Sequence, residues 1–95
     1  MQTLSLSSKA KIRNDVLFRE IEGEAVILNL ATGIYFGLGQ VGTRIWHLME
    51  QSRRLKDILR SLLEEYGVEE NRCREDLLRL IQALHKSGLV EILQG

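Results

Sequence analysis

LNLATGIYFGLGQVGTRIW, Leu28 to Trp46, changes its hydrophobic pattern twice in nineteen residues. An apolar run ends at Ala31-Thr32-Gly33 and resumes as Ile34-Tyr35-Phe36-Gly37-Leu38. Branched and aromatic residues on both sides of a glycine-containing break predict two strands joined by a tight turn. At Gly39 the pattern becomes helical, with Val41, Ile45, Leu48 and Met49 on one face, which predicts a first helix over about 40–51. Gly39 stands at the N-cap, where glycine is accepted but weaker than asparagine.

Working outward toward the N-terminus, Val16 to Ile21 (VLFREI) is a third strand candidate. Glu22-Gly23 follows as a two-residue turn in which glycine can take positive φ. The chain then returns as Ala25 to Leu30, a segment so continuously apolar that it reads as a central strand covered on both faces. Three short strands with tight turns make an antiparallel meander, whose last strand, Ile34 to Leu38, keeps a free edge. Residues 1–15 are polar and mixed and read as a loose arm, with room for one short strand.

Toward the C-terminus, Leu55, Ile58, Leu59, Leu62 and Leu63 define a second helix stopped at Gly67, a left-handed C-terminal position. Asp76, Leu77, Leu80, Ile81 and Leu84 belong to a third helix over about 70–86, stopped by Ser87-Gly88. Leu89 to Leu93 is a final strand or a tail. The fold class is therefore α+β, winged helix-turn-helix-like: a three-stranded antiparallel sheet followed by three helices. An arm over 1–15 precedes a domain over 16–95.

Bulk composition narrows the function. Ninety-five residues make one domain with a modest core and little room for a deep catalytic cleft as well. Thirteen basic and thirteen acidic residues cancel, removing the general attraction on which nucleic-acid binders rely. Cys73 is the single cysteine, so no intrachain bridge is available, and the cytoplasm is the expected compartment. No apolar run approaches a membrane span, and the first fifteen residues lack the apolar core of a signal peptide.

No catalytic or metal-binding constellation emerges, and no cofactor is expected. His47 and His85 sit on different helices without a partner at ligand spacing. Gly37, Gly39 and Gly42 lack the lysine-serine pair and the order of a phosphate loop. Cys73, on the apolar side of the third helix, reads as a small buried hydrophobe, with a reactive thiol as the other reading. Trp46 reads as the keystone of the core and Tyr66 as a residue packing the second helix, each with a partner-contacting role as the alternative.

The third helix has more apolar surface than a core needs. At ~100° per residue, Cys73, Leu77, Leu78, Leu80, Ile81, Leu84 and His85 spread over roughly 160°, whereas a core face needs about 100° or slightly more. Either the stripe is a wide core or the helix makes a second contact. Leu80 and Asp76 lie at one border of the arc, with Leu77 and Leu84 nearer its centre.

Taken in order, Leu28, Gly33, Tyr35, Leu38, Val41-Gly42, Ile45-Trp46, Asp57-Ile58, Tyr66, Asp76, Leu84 and Gly88-Leu89 resemble the pyrroloquinoline quinone synthesis protein D family. These proteins are also known as precursor-peptide recognition elements of ribosomally made, modified peptides. The resemblance covers Val16 to Ile92, and family sequences usually have asparagine where this chain has Gly39. NLATGIYFGL and the tryptophan-containing first helix look more like the free-standing members of lasso-peptide (antibiotic) clusters than like the quinone-synthesis protein. The resemblance implies a non-enzymatic module that binds the leader of a precursor as an added strand, antiparallel to Ile34–Leu38, in the groove with the third helix. On that reading Ile34, Tyr35, Phe36 and Gly37 supply main-chain bonds. Leu77, Leu80, Ile81 and Leu84 offer apolar pockets, and Asp76 holds a polar or cationic group. The implied partners are the leader, a leader peptidase and other modifying enzymes such as a cyclase; neither nucleic acid nor membrane is expected.

Two alternatives stay open. A winged-helix DNA-binding regulator would read DNA with the third helix, but Glu69, Glu70, Glu75 and Asp76 offset Arg72, Arg74, Arg79 and Lys86 there. The basic cluster Arg53, Arg54 and Lys56 reads as the solvated start of the second helix. A homodimer through the edge strand uses the same physics as peptide addition.

Overall fold

The computed structural model describes residues 4–52 and 54–94. Its elements run β1 (Lys9–Ile12), β2 (Val16–Ile21), β3 (Glu24–Asn29), β4 (Ile34–Leu38), α1 (Gln40–Gln51), α2 (Leu55–Tyr66), α3 (Glu70–Lys86) and β5 (Val90–Leu93). Strands β2, β3 and β4 form an antiparallel sheet in that order, and β1 pairs with β5 in a separate two-stranded ribbon. The α+β arrangement of a three-stranded sheet followed by three helices is as the sequence predicts.

Local chemistry explains the boundaries. Glu22 and Gly23 both have positive φ, 53° and 81°, as a type I′ hairpin requires, and Ile21 pairs with Glu24 across them. Gly39 caps α1 from an extended conformation, and its carbonyl accepts from the Thr43 N–H at 2.8 Å. Gly67 ends α2 in the left-handed region, its N–H returning to Leu63 O. Glu69 caps α3 by accepting from the N–H groups of Asn71 and Arg72.

The core gathers between the inner face of the sheet and the helices. Ile27, Trp46, Leu55, Ile58, Leu62, Leu77, Ile81 and Leu84 are buried within it. Trp46 stacks on Phe18 with ring centroids 6.0 Å apart, the keystone position expected for it. Arg44 of α1 grips Glu65 of α2 in a bidentate pair, with its shortest contact at 2.6 Å.

Two expectations need correction. β3 is central in the sheet but covered on one face only: Ala25, Ile27 and Asn29 are buried while Val26 is 44% exposed. Its outer face belongs with Leu17 and Tyr35, which lie in one cross-strand row through Leu28 and face away from the helices. The described part of the N-terminal arm is not loose either. Lys9 to Ile12 pair with Leu93 to Val90, Ala10 and Ser8 are buried, and Leu6 O and Ser8 O accept from Lys56 and Leu55 N–H groups. Residues 1–3 of that arm, and Arg53 of the basic cluster, lie outside the described residues; Arg54 is exposed and bridges to Lys9.

Candidate functional site, a strand edge beside a helix

The direction of each main-chain group on β4 follows from one bond. Leu30 N–H donates to Asp15 O at 3.0 Å, beyond the end of β2. Main-chain groups alternate sides along a strand, so Val26 and Leu28 face β2 while Ala25, Ile27 and Asn29 face β4. The β3–β4 register pairs those three with Leu38, Phe36 and Ile34. Tyr35 and Gly37 therefore point their N–H and C=O groups away from β3, toward the edge of the sheet. Among the described residues no strand occupies that edge. Of the four β4 residues singled out by sequence, Ile34, Tyr35 and Gly37 are exposed and Phe36 is half-buried against the core.

The α3 set divides by depth. Leu77, Ile81 and Leu84 have no exposed surface, while Leu80 is half-buried at the border of the core and Asp76 is exposed. Asp76 lies 3.4 Å from Arg79. A fully enclosed leucine supports a groove from beneath, so Leu80 and Asp76 are the members of this set that present a surface.

Sequence reasoning missed Asn29. This residue is 4% exposed, and its Nδ2 donates to Ser87 O at 2.9 Å. Its Oδ1 accepts from Ala31 N–H at 2.9 Å and Thr32 N–H at 3.3 Å. The same side chain thus shapes the β3–β4 loop and ties it to the end of α3. Opposite it, Gly88 has φ 74°, and a Cβ there would stand 2.8 Å from Asn29 Nδ2. A polar residue closing an apolar strand before a Thr-Gly turn was the available signal.

Two further features lie outside the edge strand. A cleft of about 220 Å³ opens where α1, α2 and α3 meet, walled by Val41, Ile45, Leu62, Tyr66, Val68 and Leu77. Tyr66 is 45% exposed on that wall rather than packed away, a correction to its expected role. Cys73 also lines the cleft; burial first, and the nearby Asp76 charge second, push its thiol pKa up. That shift favours the thiol over the reactive thiolate. On the far side of α1, His47 Nε2 meets Glu20 at 2.6 Å and Nδ1 meets Glu50 at 2.9 Å. Those hydrogen bonds, Glu50's foremost, raise the imidazole pKa above its usual 6.5. Among the described residues, no three His, Cys, Asp or Glu side chains are grouped to hold a metal ion. No described helix is long and apolar enough to cross a membrane.

The family model of coenzyme PQQ synthesis protein D matches residues 24–90, more than half of the chain. This chain belongs to that family. Among solved structures it is similar to TbiB1 in complex with the TbiA(beta) leader peptide, at 40% identity and a TM-score of 0.80, over 85% of this chain and 94% of that one. It is also similar in fold to a lasso peptide synthetase B1 complexed with its leader peptide, at 20% identity and a TM-score of 0.78, over 87% and 98% of the two chains. No curated protein matches.

Proposed function

We propose that this protein is a non-catalytic recognition element that binds the leader of a ribosomally made precursor peptide and presents it to modifying enzymes. The leader adds as a strand along β4, beside α3, in a lasso-peptide pathway of the cytoplasm. TbiB1, the 40% identical relative, is a leader-peptide complex. The observation that carries the reading within this chain is the contrast between its two sheet edges. β2 holds Arg19 and Glu20, with Glu20 tied to His47, and such charges discourage strand pairing. β4, IYFGL, has no charge and presents Tyr35 and Gly37 as open main-chain groups. An uncharged edge costs least to desolvate when a peptide backbone pairs with it.

Peptide selectivity then falls to side chains beside the edge. Leu80 contributes partly exposed apolar surface, and Asp76 an anion at the rim, suited to a polar or cationic leader group. The leader peptidase and cyclase are the proposed recipients of the presented precursor. DNA reading by α3 is the weaker proposal, because its charges nearly cancel.

Proline scanning tests this reading. Tyr35→Pro and Gly37→Pro each remove an N–H that no partner strand uses, so both variants are expected to fold and to lose leader binding. Phe36→Pro removes a bond to β3 and is expected to damage the sheet itself. Folded Tyr35→Pro and Gly37→Pro variants with wild-type leader affinity would contradict strand addition.

A further inference from the structure

Among the described residues, no hydrogen bond or ion pair runs from β4 to α3. Bonds across the groove would occupy the place of an added strand, so its width has to be set from its ends. At the Leu38 end the chain turns straight into α1, where Thr43 Oγ1 donates to Leu38 O at 3.4 Å. At the Ile34 end stands Asn29. We propose that Asn29 is a positioning residue for leader binding: from outside the groove, it sets the start of β4 against the C-terminal end of α3 so that a strand fits between them. The inference rests on the strand-addition reading and deepens it.

The two ends of one side-chain amide do different work. Oδ1 accepts from the N–H groups of Ala31 and Thr32, while the Asn29 carbonyl accepts from Gly33 N–H at 2.7 Å. Thr32 Oγ1 then accepts from Ile34 N–H at 3.3 Å, which carries the loop's order to the first residue of β4. Nδ2 reaches the other way, to the carbonyl of Ser87, the C-cap residue of α3. Carbonyls at a helix C-terminus carry partial negative charge and favour such a donor. Asn29 is buried, so the bond is shielded from competing water. Gly88 leaves the space, since a Cβ there would stand 2.8 Å from Nδ2. Aspartate would keep the acceptor that builds the loop and lose the donor that holds the helix.

Strand addition tolerates little error in that position. Paired strands lie about 4.7–4.9 Å apart, and N–H···O bonds weaken beyond about 3.2 Å. A displacement of about 1 Å at the start of β4 therefore disrupts the outward groups of Tyr35 first and those of Gly37, farther along the strand, less. A residue that served stability alone would produce no such gradient.

The probe is a peptide selected from a random library on the full-length protein and kept only if Tyr35→Pro abolishes its binding. Asn29→Asp is expected to fold and to bind this probe at least tenfold more weakly. In its saturated complex the Tyr35 amide is expected to exchange at least tenfold faster than in the wild-type complex, with a smaller change at Gly37. Ile58→Val, a core change in α2, is the control and is expected to bind as wild type despite its lower stability. Gly88→Ala crowds Nδ2 from the opposite side and is expected to weaken the probe as well. Adding it to Asn29→Asp is expected to cost no more than about twofold further, because the same contact is lost once. In the wild type, the Asn29 side-chain amide protons are expected to exchange at least tenfold more slowly than those of free asparagine, before and after the probe binds. Should Asn29→Asp fail to fold, Gly88→Ala and this wild-type measurement decide in its place. Wild-type affinity in folded Asn29→Asp or Gly88→Ala, or free-amide exchange at Asn29, would overturn the positioning role and leave strand addition standing. A library that yields no Tyr35→Pro-sensitive peptide would overturn strand addition and the positioning role with it.

Discussion

Asn29 and Ser87, 58 residues apart, are joined by a 2.9 Å hydrogen bond from Asn29 Nδ2 to the Ser87 carbonyl. That bond connects the end of β3, and hence the β3–β4 loop, to the C-terminus of α3. The loop that leads into the edge strand is thereby tied to the C-terminal end of α3. The proposed groove is thus framed by a residue that does not line it.

Asn29→Ala is predicted to lower stability by about 1–3 kcal/mol, since Ser87 O, Ala31 N–H and Thr32 N–H all lose their partner. Gly88→Ala is predicted to cost about 1 kcal/mol or more, through its left-handed backbone and the collision with Asn29. Chemical denaturation of each variant checks both. Wild-type stability in Asn29→Ala would mean that the loop and helix hold their positions without this bond.

Leu80 and Leu84 are predicted to separate binding from folding. Leu84 is wholly enclosed, so Leu84→Ala is expected to cost about 2–5 kcal/mol. Leu80 is half-buried, and Leu80→Ala is expected to cost well below that range while weakening leader binding by about 1 kcal/mol or more. Asp76→Ala is expected to behave like Leu80→Ala. Thermal unfolding alongside calorimetric titration makes the comparison; equal stability losses at Leu80 and Leu84 with unchanged affinity would reduce the wide α3 stripe to a core.

His47 makes stability depend on pH. Its folded pKa is raised by Glu50 and Glu20, whereas in the unfolded chain it titrates at the usual 6.5. The stabilisation is therefore complete below about pH 6.5 and is lost as pH rises through the folded value. Melting temperature is predicted to fall slightly between about pH 6 and pH 8, and His47→Gln to flatten that slope. The side chain is 35% exposed, so solvent keeps the effect small. Identical slopes in the two proteins would remove His47 from the account.

The succession of strands and helices was legible because the hydrophobic period switches at Gly39 and because Gly23, Gly33 and Gly67 mark turns that need positive φ. The centre of the α3 stripe was legible too: Leu77 and Leu84 are enclosed and Leu80 is at the border. Non-local relations were not. The pairing of β1 with β5 joins residues about eighty positions apart, and a four-residue strand has no local pattern that names its partner. The apolar run of β3 read as covered on both faces, yet Val26 and Leu28 point outward beside Leu17 and Tyr35. Run length alone does not say which face a helix will cover. Tyr66 read as packing because it precedes a helix-ending glycine; the cleft beside it forms only when α1 and α3 arrive.

Amide hydrogen exchange on β4, with and without the bound precursor leader, tests the central claim most directly. Tyr35 and Gly37 point their N–H groups outward, while Phe36 and Leu38 already face β3. Strand addition predicts that the leader slows exchange at Tyr35 and Gly37 at least tenfold and changes Phe36 much less. Unchanged exchange at Tyr35 and Gly37 in the saturated complex would contradict it.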